Sequence, residues 1–216
     1  MPDTPPTTAP APAPQWDDAL LQNPHAVADK RTRVQHMFAA IAPSYDLNNR
    51  LHSLWMDQRW RHHAAHLSNL QAEDVVVDVA CGTGDLTITW ASGLCLLNAE
   101  ADRKPKFGQV LGVDFTFEML PFAKRKSDVV HDVTAPQDGL GIDYWDKTIQ
   151  WINGDALALP LPDQCCDVLS IAFGIRNVSD PAAAIAEFHR VLRPGGRLII
   201  LEFSLPTNPL LRTLYN

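Results

Sequence analysis

Five short runs of β-branched and other apolar residues mark the chain from Val75 onward: Val75–Val79, Val110–Val113, Ile149–Ile152, Val168–Ala172 and Leu198–Leu201. Between them, at Leu86–Leu97, Glu118–Lys126 and Pro181–Leu192, apolar residues recur with helical spacing. Short, continuously apolar runs alternating with amphipathic segments predict buried parallel strands joined by helices on both faces of one sheet. The expected fold class is therefore α/β, a doubly wound, mostly parallel sheet over residues 73–216. Upstream, Val34, Met37, Phe38 and Ile41, then Leu51, Leu54, Trp55 and Trp60, repeat at helical spacing, with breaks expected at Pro43 and at Asn48-Asn49. These residues predict a helical N-terminal cap over 26–72. Residues 1–25 open on a stretch, Met1 to Pro14, made almost wholly of Pro, Ala and Thr, which has too little apolar surface to offset the entropy of ordering and reads as a disordered tail. Two long connections, Gly93 to Gln109 and Lys126 to Lys147, read as surface insertions whose charges are solvated.

Ligands of such sheets sit outside the carboxyl ends of the strands, so the residues after each run hold the candidate chemistry. The first run passes through Asp78 into Ala80-Cys81-Gly82-Thr83-Gly84 and then into a helical segment. Gly82 and Gly84 allow a sharp turn and a close ligand approach, and the helix that follows offers unpaired N–H groups. A dinucleotide fingerprint needs a third glycine, and Thr87 stands in its place. After the second run, Asp114 is placed to accept hydrogen bonds from both ribose hydroxyls. After the third, Asp155 can accept from an adenine amino group while the Ala156 backbone N–H reaches the ring. Taken singly, the glycine pair also fits a tight turn, Asp114 a helix N-cap and Asp155 an ordinary loop. Their order along the chain reproduces a nucleoside-binding sequence, and the loop resembles the first motif of S-adenosylmethionine-dependent methyltransferases.

Composition narrows the partners. With 216 residues, 46% hydrophobic, 20% charged and a net charge of −7, the chain suits one domain and lacks the basic footprint of a nucleic-acid binder. No apolar run is long enough to span a bilayer, and Met1 to Gln15 carries no signal-peptide pattern, so a cytoplasmic location is expected. Cys81, Cys95, Cys165 and Cys166 lack metal-ligand spacing and read as reduced. His62, His63 and His66 read as a solvated helix face, because neighbouring histidines point to different sides; no metal is expected.

Gly174-Ile175-Arg176-Asn177-Val178, the long segment Arg190 to Ser204 containing Arg193-Pro194-Gly195-Gly196-Arg197, and Tyr45-Asp46-Leu47-Asn48-Asn49-Arg50 through Trp60 together resemble the ubiquinone/menaquinone biosynthesis C-methyltransferase family. The resemblance implies a Rossmann-like class I methyltransferase, S-adenosylmethionine as donor, and a polyprenylated quinol as acceptor, with demethylmenaquinol the favoured case. It implies donor contacts at Thr83, Asp114 and the Asp155-Ala156 pair, beside Asp78, Gly82 and Gly84 of the loop. Ala172 stands where the family has a serine, Asn48 where it has a methionine, and Asp57 where it has a histidine. The chain stops at Asn216, whereas the family adds a further helix and antiparallel strands, so the domain is expected to be C-terminally incomplete. For the chemistry, Arg176 would stabilise a phenolate, Asn177 would orient the ring oxygen, Tyr45 would position the acceptor, and water, Asp46 or Asp57 would take the proton. Phe38, Trp55 and Trp60 form either a wall for the prenyl chain or simple core. Peripheral membrane contact through the N-terminal helices and a homo-oligomer are both kept open. So are two other functions: methyl transfer to another small hydrophobic acceptor, and an inactive methyltransferase-like binding domain.

Overall fold

A computed structural model describes residues 29–99, 108–134, 145 and 147–204. The expected tail over 1–25 and the C-terminal end lie outside the described residues. Five parallel strands, β1 (Val75–Val79), β2 (Gln109–Asp114), β3 (Ile149–Asn153), β4 (Cys166–Ala172) and β5 (Leu192–Leu201), form one sheet in the order β3-β2-β1-β4-β5. Successive valines of β1 point to opposite faces, and both faces are covered, which is why the run is apolar without alternation. Val77 and Val79 face Ala184, Phe188 and Val191 of helix α6 (Pro181–Val191). Val76 faces Leu86, Trp90, Ala91 and Leu94 of α4 (Asp85–Ala99). Trp90 is fully buried, and its Nε1–H donates to Ser170 Oγ at 3.0 Å, so the indole's polar group is paired. Helix α5 (Leu120–Thr134) lies on the α4 side, where its Ala123 approaches Gly84 beside Trp151.

The chain winds outward from β1 to β3, then crosses back to place β4 on the other side of β1. This reversal leaves a crevice at the carboxyl ends of β1 and β4, where open sheets of this kind bind ligands.

The helical cap comprises α1 (Lys30–Ile41), a single 3-10 turn at Ala42–Ser44 around Pro43, α2 (Tyr45–Ser53) and α3 (Met56–Leu67). Asn48-Asn49 does not break the helix as expected. Asn48 donates to Ser44 Oγ one turn back, at 3.3 Å, and α2 continues to Ser53. The break falls at Leu54-Trp55, both with left-handed backbones (φ 50° and 62°). The two insertions also begin later than expected, about two helical turns on. Helix α4 continues through Gly93, packed against Leu70, to Ala99, and α5 continues through Ser127, whose Oγ accepts from Trp145, to Thr134. Strand β5 likewise starts at Leu192 rather than Leu198, with a register irregularity against Cys166–Val168.

Candidate active site

After Val79 the backbone turns through left-handed conformations at Ala80 (φ 52°), Gly82 (φ 55°) and Gly84 (φ 83°). The Cys81 N–H donates to Val113 O at 3.1 Å, which ties the turn to the end of β2. There Asp114 organises the loop. One of its carboxylate oxygens accepts from the Gly82 N–H at 2.7 Å and the other from the Thr116 N–H at 2.8 Å. A carboxylate has about four acceptor sites, so each oxygen keeps capacity for one more donor. Burial pushes the Asp114 pKa up to about 6, against the pull of those two N–H groups.

The crevice beside Asp114 holds about 820 Å³ of space, its open mouth included. Its lining joins Gly82, Asp114, Asp155, Ala156, Ala172, Tyr45 and Asn177, seven of the residues singled out in the sequence. Ala172, at the end of β4, also lines a smaller chamber that continues from the crevice, with Tyr45, Ala80 and Gly82 as the other shared walls. Asp78 and Thr83 line that chamber. Asp78 is buried and accepts from Thr87 Oγ1 at 2.6 Å and Ser170 Oγ at 2.7 Å. Burial raises its pKa to about 6, with the two hydroxyls opposing the rise.

Three expected roles differ in the structure. Gly84 does not line the crevice or the chamber. A Cβ there would lie 2.5 Å from the Trp151 ring, so this glycine makes room for β3 rather than for a ligand. Arg176 shares the 3-10 turn Ile175–Asn177 with Asn177, but its guanidinium is outside the crevice lining, paired with Glu202 and over the Phe203 ring. Lys126, expected to be solvated, instead donates to Thr83 Oγ1 at 3.0 Å and pairs with Asp46 and Asp85.

Asp85, which sequence reasoning missed, is the hub of this network. It accepts from Arg50 through both oxygens at 3.2 Å, from Lys126 at 2.8 Å and from Gln58 at 3.1 Å. Burial alone would raise its pKa, but the Lys126 and Arg50 charges outweigh it and hold the carboxyl well below the usual range. An acid in the first turn after a glycine loop was the available signal. Of the two candidate bases, Asp46 accepts from Thr83 and pairs with Lys126, while buried Asp57 accepts from Ser53 and Gln58; neither lines the crevice.

The far wall comes from α1. Arg31 pairs with Asp155 at 3.0 Å and lies 4.5 Å over the Phe115 ring, while Val34 and Phe38 complete the lining. The three aromatic candidates separate accordingly. Phe38 lines the crevice edge-on to Tyr45, Trp60 packs against Phe173 and Phe203, and Trp55 is exposed on the surface.

Residues 26–216 match the family model described as the ubiE/COQ5 methyltransferase family. The chain belongs to that family. It is 37% identical over 193 residues to the ubiquinone/menaquinone biosynthesis C-methyltransferase UbiE of Geobacter sp. strain M21, covering 89% of this chain and 72% of that protein. It is 40% identical over 170 residues to the demethylmenaquinone methyltransferase of Thermus thermophilus, covering 79% of this chain and 66% of that one. In fold it is similar to a SAM-dependent methyltransferase of Aquifex aeolicus, at TM-score 0.52 and 21% identity, over 69% of this chain and 66% of the other, just under two thirds of its length.

Membership makes S-adenosylmethionine the methyl donor. The residues fit it. Asp114 has spare acceptor capacity that would serve two ribose hydroxyls, Gly154 and Ala156 line the crevice where they would hold an adenine, and the chamber beyond Gly82 is polar. No helix among the described residues is long and apolar enough to cross a membrane.

Proposed function

We propose that this chain, as part of the whole protein, transfers a methyl group to a ring carbon of a polyprenylated quinol, converting demethylmenaquinol to menaquinol. One observation carries the reading. A single crevice is lined both by the acids Asp114 and Asp155 and by the aromatic rings of Tyr45, Phe38 and Phe173, with Ala80 and Gly82 in the same lining. The names of the Geobacter and Thermus relatives support the acceptor class.

Bound there, S-adenosylmethionine supplies an electrophilic sulfonium methyl. The chain's own residues hold the two reactants in line and favour the phenolate, whose ring carbon is the stronger nucleophile. Asn177 orients the ring oxygen from the crevice wall, and Tyr45 packs the ring against Gly82. Arg176 joins them by exchanging Glu202 for the phenolate when the acceptor arrives, a short move for a half-exposed side chain. Arginine stays protonated, so the phenolic proton leaves to water. The methyl's bond to sulfur breaks to release S-adenosylhomocysteine, and the hydrogen on the methylated ring carbon then leaves as a proton while the oxygen is reprotonated, which restores the aromatic ring.

The reading is tested by supplying S-adenosylmethionine with either demethylmenaquinol or the corresponding benzoquinol and identifying the products. Methylated naphthoquinol is expected. Methylation of the benzoquinol alone would replace the substrate, and methylation of neither would sink the activity. Arg176→Ala should lower turnover by about 100-fold, the scale of losing one preorganised charge partner, with S-adenosylhomocysteine affinity unchanged. Unaltered turnover would leave Arg176 as a partner of Glu202 only.

The tip between α2 and α3 fits an acceptor that resides in lipid. Leu54 is 79% exposed and Trp55 56%, with Leu47 and Leu51 exposed on the same helix pair. Inserting such side chains contributes roughly 1.5–3 kcal/mol each, so Leu54→Ser with Trp55→Ser should cut cosedimentation with phosphatidylglycerol vesicles by about tenfold or more. Equal binding by both forms would remove the tip as the contact.

A further inference from the structure

The stripe of α1 that faces the crevice begins with a charge. Lys30, Val34 and Phe38 follow one another four residues apart, so they share one face of the helix. Val34 and Phe38 line the crevice, while Lys30, at the head of the stripe, is 4% exposed. Lysine is almost never buried to that degree unless partners offset the loss of water. Its Nζ donates to Arg176 O at 3.0 Å and to Val178 O at 2.7 Å, across nearly 150 residues of chain.

These two carbonyls belong to the residues on either side of Asn177. The 3-10 turn uses other groups for its own bonds: the Asn177 N–H donates to Gly174 O at 2.9 Å and the Val178 N–H to Ile175 O at 3.3 Å. The oxygens of Arg176 and Val178 are thus left to an outside donor, and one ammonium closes on both. Among the described residues the Asn177 amide has no hydrogen-bond partner, so its direction into the crevice rests on the backbone that carries it. The ends of the segment are held separately. Before the turn the Phe173 N–H donates to Leu201 O at 2.7 Å, and after it Asp180 caps α6 by accepting from the Ala182 and Ala183 N–H groups at 3.0 Å.

We infer that Lys30 is a positioning residue for the methyl transfer: by holding the carbonyls on both sides of Asn177, it sets the direction in which that amide meets the acceptor's ring oxygen. The inference rests on the quinol reading of the crevice and on the role given there to Asn177. Lys30 is not part of the crevice lining and acts through the turn. A fastening of α1 alone would behave differently. Its loss would loosen the wall of Arg31, Val34 and Phe38, and so would weaken the donor complex whether or not Asn177 is present.

The test is a cycle of Lys30→Met, Asn177→Ala and the double variant, measuring turnover with S-adenosylmethionine and whichever of the two quinols the unaltered protein methylates. Misplacing a positioning group by about 1 Å costs up to about 100-fold, so Lys30→Met should lower kcat by roughly 10- to 100-fold. Its affinity for S-adenosylhomocysteine, by calorimetry, should stay within about twofold, and Lys30→Arg, which keeps the charge and several donors, should recover most of the turnover. In the Asn177→Ala background Lys30→Met should cost no more than about threefold, because the group it aims is gone. Should Lys30→Met not fold, Lys30→Gln keeps a donor for one carbonyl and runs the same cycle, with a smaller loss that likewise disappears beside Asn177→Ala. An undiminished loss in that background would make Lys30 a fastening of α1 and overturn the assignment, as would a parallel fall in S-adenosylhomocysteine affinity. Unchanged kcat in Lys30→Met, or full activity of Asn177→Ala alone, would overturn it too. If the unaltered protein methylates neither quinol, the functional reading falls and this assignment with it.

Discussion

Asp114→Asn should weaken S-adenosylhomocysteine binding by about 100-fold, with the fold retained. The carboxylate is accepting two backbone N–H groups, Gly82 at 2.7 Å and Thr116 at 2.8 Å, one through each oxygen. An amide offers one oxygen and one NH2, so one of these N–H donors must then face another donor. The charge that would strengthen the ribose contacts is lost as well. Charge-assisted hydrogen bonds are worth about 1.5–3 kcal/mol each, and losing most of one such bond, with part of a second, gives the factor stated. The pH dependence carries an independent signature. Burial raises the carboxyls of Asp114 and Asp78 from the ordinary 3.8 to about 6, and the ionised forms are the better acceptors. Donor affinity should thus be level above that value and fall as the pH drops through it, by up to tenfold per unit for each group. Stability runs the other way. A carboxyl raised on folding contributes most when protonated in both states, below 3.8, and that contribution is lost as the pH rises through about 6. Titrations across this range with the unaltered protein and Asp114→Asn should show the slope reduced in the variant. An identical slope in both would assign the pH dependence to Asp78 alone.

Gly84→Ala is expected to destabilise the fold by about 3 kcal/mol, the sum of a left-handed backbone cost of roughly 1–2 kcal/mol and an overpacking cost of roughly 1–3 kcal/mol. With φ at 83°, the new methyl would sit 2.5 Å from the Trp151 ring and 3.1 Å from Ala123 Cβ. Trp151 is partly buried and packed against the core cluster of this side of the sheet, which limits relief by rearrangement. Denaturant midpoints for the single variants and for the pair with Trp151→Ala separate the two causes. In the Trp151→Ala background the glycine substitution should cost less, keeping only the backbone share. An unchanged cost would mean that the ring plays no part.

Trp151 also shows where reading the sequence stopped. The glycine loop could be located from its neighbours, because a β-branched strand, a turn and a helix follow one another locally. Why Gly84 must be glycine depends on a residue two strands away in the sheet, and no local pattern carries that. The strands themselves were legible for a physical reason. Val76 and Val77 are both wholly buried because helices cover both faces, so the run had to be apolar throughout. The charged hub was illegible for the opposite reason. Arg50, Asp85 and Lys126 are each ordinary surface residues by type and become a network only when α2, α4 and α5 converge. That Arg176 lies on the turn after β4 was legible, yet the direction of its side chain depends on Glu202, which follows the end of β5.

Helix α1 changes what counts as the ligand-binding unit. It lies outside the sheet in the chain and in the layers, yet Arg31, Val34 and Phe38 form one wall of the crevice, and Lys30 clamps its start to the carbonyl oxygens of Arg176 and Val178 at 3.0 and 2.7 Å. The same helix is thus fastened to the turn that presents Asn177 and, through Arg31, to Asp155. A sheet trimmed to begin at Val75 would keep every glycine and acid of the donor motifs and still lack the wall formed by Arg31, Val34 and Phe38. The element that carries no donor motif thus supplies one wall of the ligand site.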